Sequence, residues 1–142
     1  MLVYFLWLVA IVASLYFVFK VSAYRTYDMS DWAGRLWKWA DENNISHKKL
    51  PRHNKEYLLK IKELDIQNMN IKELPVELFD LTNLKILNIS GNNISCIPDE
   101  ITKLSLDEFC ADDNPNIEFS SEQKEWAKKI NKFSRKISEE SI

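Results

Sequence analysis

Between residues 50 and 117 the apolar positions follow one spacing three times over. Leu84, Leu87, Ile89 and Ile94 stand at the first, fourth, sixth and eleventh places of a unit, with Asn92 at the ninth. Upstream, Ile61, Leu64, Ile66, Met69 and Ile71 take the same five places. Downstream, Leu106, Phe109, Ala111 and Asn114 take the first four, and Ile117 lies one beyond the fifth. The first places are 23 and then 22 residues apart, and a second marker, Leu50-Pro51, Leu74-Pro75 and Ile97-Pro98, recurs at 24 and 23. Alternation at the centre of each unit predicts a short strand, with Leu87 and Ile89 directed inward and Ile86, Asn88 and Ser90 outward. Pro75 and Pro98 fix φ and end the extended run. Leu78 with Leu81, and Ile101 with Leu104, then predict a helical turn or two on the opposite, convex side, and Asp80-Leu81-Thr82-Asn83 turns back into the next strand. Asn92 falls at the bend, where a buried amide needs backbone partners.

The flanks follow other patterns. Residues 1–19 carry no charged side chain and, apart from Ser14, are apolar or aromatic. As a helix they would span ~28 Å, close to the ~30 Å hydrocarbon core of a bilayer. Tyr4, Trp7, Tyr16 and Phe17 lie toward the ends of the run, and Lys20 and Arg25 follow it, which predicts residues 1–20 as a transmembrane helix with the rest of the chain on the cytoplasmic side. Val21-Ser22-Ala23 also has the form of a cleavage site, and removal there would make a secreted protein. The run exceeds the ~7–15 residues of a signal-peptide core and no basic residue precedes it, which favours a retained single-pass anchor. In residues 21–49, Ser30 is the predicted N-cap and Trp32, Leu36 and Trp39 share one face of a helix ending near Asn43-Asn44. That helix reads as a cap over the first repeat, or as a tryptophan-rich helix at a membrane surface; Trp37 falls off the stripe. In residues 118–142, Ser120 and Gln123 have capping-box spacing, and Trp126, Ile130, Phe133 and Ile137 form a helical stripe. A basic set including Lys124, Lys128 and Lys132 makes this a C-terminal amphipathic helix, either a solvated cap or a contact for anionic lipid or an acidic partner.

The unit of residues 50–117 resembles that of bacterial leucine-rich repeat proteins, which runs L-P-x-x-[LI]-x-x-L-x-x-L-x-x-L-x-[LI]-x-x-N. Met69 departs from it where Asn is usual, and Asn116 where the last apolar residue is usual; both lie in terminal repeats. The resemblance implies an α/β solenoid, a short array with parallel strands on the concave face and helices capping both ends, and it implies protein binding with no particular partner. A single repeat cannot bury its own apolar face, so about three is near the minimum for stability.

Chemistry adds little to this picture. The 142 residues carry a net charge of −2, which gives no overall attraction to nucleic acid. The two histidines, His47 and His53, lie in a polar connecting segment with no cysteine beside them, and no phosphate loop or nucleophile elbow is present. Asp112-Asp113-Asn114 lacks the downstream ligands of a calcium loop. No cofactor, metal or catalytic set is therefore expected. Cys96 and Cys110 fall in different parts of the repeat, which does not indicate a disulfide. The expected partner-binding face is the outward set of the three strands, Glu63, Asp65 and Gln67, then Ile86, Asn88 and Ser90, then Glu108, Cys110 and Asp112. Its acidic ends suit a basic segment of a protein partner. Two uses fit: a membrane-tethered, non-catalytic interaction module, or an accessory or structural subunit of a larger membrane complex.

Overall fold

A computed structural model describes residues 27–135. Its elements are α1 (Trp32–Glu42), α2 (Lys55–Leu59), β1 (Glu63–Asp65), a 3-10 turn (Val76–Asp80), β2 (Ile86–Asn88), a second 3-10 turn (Asp99–Lys103), β3 (Glu108–Cys110), α3 (Ser121–Ala127) and β4 (Lys132–Ser134). The strands make one parallel sheet in chain order, β1-β2-β3-β4. Parallel neighbours in sequence order, each joined by a return segment, give the solenoid-like α/β architecture that the spacing predicts.

The inward places stack coil upon coil. Leu64, Leu87, Phe109 and Phe133 are in register across the four strands, and the first three are at most 1% exposed. Burial of each such side chain is worth ~1.5–3 kcal/mol. Behind them, Leu78, Phe79, Leu81, Ile101 and Leu104 are buried on the return side. Pro75 and Pro98 stand in extended backbone immediately before the two 3-10 turns, where a missing N–H costs nothing.

The bends are tied by two buried asparagines. Asn92 Oδ1 accepts from the N–H groups of Met69 (3.1 Å) and Ile71 (3.0 Å), while its Nδ2 donates to the carbonyls of Ile66 (2.9 Å) and Ile89 (2.8 Å). Asn114 repeats this one coil on, accepting from Ile94 N–H (3.1 Å) and donating to Ile89 O (2.9 Å). The residue one place before each bend asparagine position is left-handed in all three coils: Asn68 (φ 55°), Gly91 (φ 65°) and Asp113 (φ 53°). Glycine, and among L residues chiefly Asn and Asp, tolerate that conformation. At Gly91 a Cβ would also lie 2.0 Å from Asn68 Oδ1.

At the N-terminal end, α1 begins one residue later than expected. Asp31 is the N-cap and accepts from Ala33 N–H, whereas Ser30 gives its N–H (2.9 Å) and Oγ (2.6 Å) to Asp28 Oδ1. That local turn consumes the hydroxyl which would otherwise have capped the helix. The buried face of α1 is Ala33, Gly34, Leu36 and Ala40. Small residues let the helix sit close, so Trp32 and Trp39 pack only partly, at its flanks. Trp37 donates from Nε1 to Pro51 O (3.0 Å). Arg52 is buried beneath the cap, donating to the carbonyls of Leu50 (2.7 Å) and Ile45 (2.6 Å) and paired with Asp41 (2.7 Å).

Two expectations are corrected. Among the described residues, the amphipathic helix expected over residues 118–142 is realised as Ser121–Ala127; its capping box forms, with Ser120 and Gln123 bonding reciprocally. The chain then turns, and Lys132–Ser134 becomes a fourth parallel strand. Ile130 and Phe133 take the inward places that Leu106 and Phe109 hold one coil earlier. Lys132 N–H donates to Asp107 O (3.1 Å) and Ala111 N–H to Ser134 O (2.9 Å). These bonds pair the edge of β3 that a longer helix would leave open. Ile137, the end of the expected stripe, lies outside the described residues.

The second correction concerns the single-pass membrane location with cytoplasmic repeats. Among the described residues no helix is long and apolar enough to cross a membrane. The longest, α1, has 11 residues, or ~16 Å against a ~30 Å hydrocarbon core. Residues 1–19, on which that expectation rested, lie outside the described residues.

Candidate interaction face

The outward side chains of the sheet fall into rows fixed by the register. One row reads Glu63, Ile86, Glu108, Lys132; the next reads Asp65, Asn88, Cys110, Ser134. Gln67, Ser90 and Asp112 follow, held in line by Asn68 N–H to Ser90 O (2.9 Å) and Gly91 N–H to Asp112 O (2.8 Å). Glu63 and Gln67 are exposed, and the other seven expected residues are half-buried by their strand neighbours. The nine residues are thus brought onto one face.

The charges on that face are not equivalent. At the β3–β4 end, Lys132 Nζ lies 2.6 Å from Glu108 Oε1, and Ser134 Oγ donates to Asp112 (2.7 and 2.6 Å to its two oxygens). Cys110 Sγ is 3.5 Å from Glu108 Oε1. The bond from Lys132 holds the Glu108 carboxyl below its ordinary range, and the Lys132 ammonium is held correspondingly above its own. Burial, followed by the Glu108 carboxylate, pushes the Cys110 thiol up, so it stays protonated at neutral pH. At the β1 end, Asp65 accepts only locally, from Gln67 N–H (3.1 Å) and Gln67 Nε2 (3.2 Å). Glu63 has no ion pair among the described residues. Ile86 stands between Glu63 and Glu108 in its row.

Lys132 and Ser134 are members of this face that a helical reading of their segment hides. The signal for them is in the chain: Ile130-x-x-Phe133 repeats Leu106-x-x-Phe109 at about the repeat length. Met69, at the place where Asn is usual, leaves the first coil without an amide of its own, and its N–H is served by Asn92 from the next.

His47 and His53 are exposed, His53 lying edge-on to Tyr57 at 6.3 Å. No cluster of three metal-ligating side chains occurs among the described residues. Both cysteines are free thiols.

Residues 60–115 match the family model described as leucine rich repeat. No curated protein matches the chain.

Proposed function

With residues 60–115 a leucine-rich repeat segment, we propose that the chain is a non-catalytic protein-interaction module whose outward strand face binds a basic segment of another protein. The observation that carries this is the asymmetry of the acids. Glu108 is already paired with Lys132, and Asp112 already accepts from Ser134. Glu63 and Asp65 hold no cation among the described residues, and they flank the half-exposed Ile86 and Asn88. The basic partner is therefore assigned to the β1–β2 half of the face, with Gln67 and Ser90 at its upper margin. So small a surface gives modest affinity.

The test is a titration of a fluorescent lysine- and arginine-rich peptide against the wild type, Ile86→Asp, and a Glu63→Lys/Asp65→Lys double variant. Variants are compared only when they melt with the wild type. Reversing these two charges should weaken binding roughly tenfold, and added salt should weaken the wild-type complex because surface charges are screened over ~8–10 Å. Unchanged binding in both variants would remove this face from the account.

A further inference from the structure

The solenoid ends differently at its two ends. Among the described residues the last inward one, Phe133, is in register with Leu64, Leu87 and Phe109, which are buried, yet it is itself 40% exposed. One side of its ring stacks on Phe109 at 5.7 Å, and Phe119 meets it edge-on at 5.8 Å. The other side faces a recess of about 270 Å³ floored by Phe119, Ala127 and Phe133 and rimmed by Lys124, Lys128 and Arg135. Every charged residue lining it is cationic. Arg135 is fixed there, its guanidinium over the Phe119 ring at 5.8 Å and donating to Ile117 O at 2.6 Å. Lys128 shares its charge with Glu125, and that pair is exposed on both sides.

The backbone beside the recess is also open. Lys132 N–H and Ser134 C=O are used toward β3. In a parallel ladder the residue between them points its N–H and C=O the other way. Phe133 therefore presents a donor and an acceptor on the outer edge, with no partner among the described residues. An edge of this kind is a template for an added strand.

We propose that this end of the solenoid is a docking site for an extended acidic peptide segment of a partner, one apolar side chain seated in the recess between carboxylates that meet Lys124 and Arg135. The charge argues for that occupant over a second copy of the chain, because a two-fold contact through this patch would set like cations against each other. The size argues for a single anchoring side chain, since pockets for small molecules run to ~300–1,000 Å³. The site is separate from the strand face described above and does not depend on it.

The probe is a fluorescein-labelled Glu-Glu-Ile-Glu-Glu peptide, titrated by anisotropy against the full chain, with Glu-Glu-Ser-Glu-Glu and Gln-Gln-Ile-Gln-Gln as controls. The acidic, apolar peptide should bind about tenfold tighter than either control, and Lys124→Glu/Lys128→Glu should weaken it by about tenfold. These lysines are exposed on or just beyond α3, so that variant tests the charge without touching the core. Phe133→Ser, checked for folding, should abolish the preference for Ile over Ser. Equal binding of all three peptides, or binding indifferent to both the lysine and the Phe133 variants, would overturn the proposal. So would a concentration-dependent dimer in sedimentation that Phe133→Ser abolishes, because the patch would then be a self-interface.

Discussion

Replacing Asn92 by Ala should be among the most damaging single changes in the repeats, and its cost can be set by counting what is orphaned. Asn92 is 3% exposed. Its carbonyl oxygen serves the N–H groups of Met69 and Ile71, at 3.1 and 3.0 Å. Its amide nitrogen serves Ile66 O, Ile89 O and, at 3.3 Å, Ser90 O. Of those carbonyls, Ile89 keeps the Asn114 amide and Ser90 keeps Asn68 N–H, so the penalty falls on the two N–H groups and on Ile66 O. A buried donor or acceptor left without a partner costs ~1–3 kcal/mol, which gives about 3–9 kcal/mol for Asn92→Ala. That is a large part of the ~5–15 kcal/mol by which a domain is stable. Asn114 accepts from only one such N–H, that of Ile94, so Asn114→Ala should cost about 1–3 kcal/mol. Asn93 is exposed and reaches only Asn70 Oδ1; its loss should cost ~0.5 kcal/mol or less. Urea unfolding followed by tryptophan fluorescence and circular dichroism would rank the three. If Asn92→Ala matched Asn93→Ala, or if Asn114→Ala exceeded Asn92→Ala, the amide ladder would not be what ties the coils together.

Two further outcomes follow from local geometry. Gly91→Ala forces an L residue to φ 65° and sets a Cβ 2.0 Å from Asn68 Oδ1, so it should destabilise by at least the ~1–3 kcal/mol of a strained left-handed residue. Adding Asn68→Gly should recover part of that loss in the same unfolding assay; no recovery would show that the side-chain collision is irrelevant. The Glu108–Lys132 pair should leave a mark on pH dependence. Because the folded carboxyl is held below its ordinary value by Lys132, its contribution is present above the unfolded carboxylate pKa and is lost as pH falls through the lower folded one. A carboxyl-selective NMR titration should place Glu108 below the ordinary ~4.3, and Lys132→Gln should move it upward; an unmoved midpoint would dissolve the pair.

The parts of the fold legible in the chain are those in which one residue type has one physical use. Leu64, Leu87 and Phe109 recur at a fixed spacing because each buries against the next, and Asn92 and Asn114 recur because a buried bend needs an amide with both a donor and an acceptor. The outward identity of Ile86, Asn88 and Ser90 follows from strand alternation alone. The left-handed place was equally present, as Asn68, Gly91 and Asp113, but three residue types sharing one backbone property do not look like a repeat. Ser30 and Asp31 are both good N-caps, and only the turn from Asp28, which takes the Ser30 hydroxyl, decides between them.

The last coil was illegible for a different reason, and that reason explains what stands exposed there. Ile130 and Phe133 continue a helical stripe from Trp126 and also fit the inward places of another repeat, so local pattern does not choose. The choice is made at a distance, by the unpaired edge of β3, which gains backbone partners only if residues 132–134 extend. With that choice the Lys132–Glu108 ion pair and the Ser134 bond to Asp112 follow, and one of the four acids of the face seen in the sequence, Glu108, is neutralised from within. The same step moves the open end outward by one coil. Each added strand buries the inward residue before it and offers a new one, so a solenoid closes only when something other than a strand covers the last. At the N-terminal end α1 and the buried Arg52 do this. At the other end the described ladder has Phe133 as its last inward residue, an aromatic ring packed on one side and 40% exposed, beside a strand edge and three cations, and the proposed partner segment, with carboxylates around an apolar residue, would cover it.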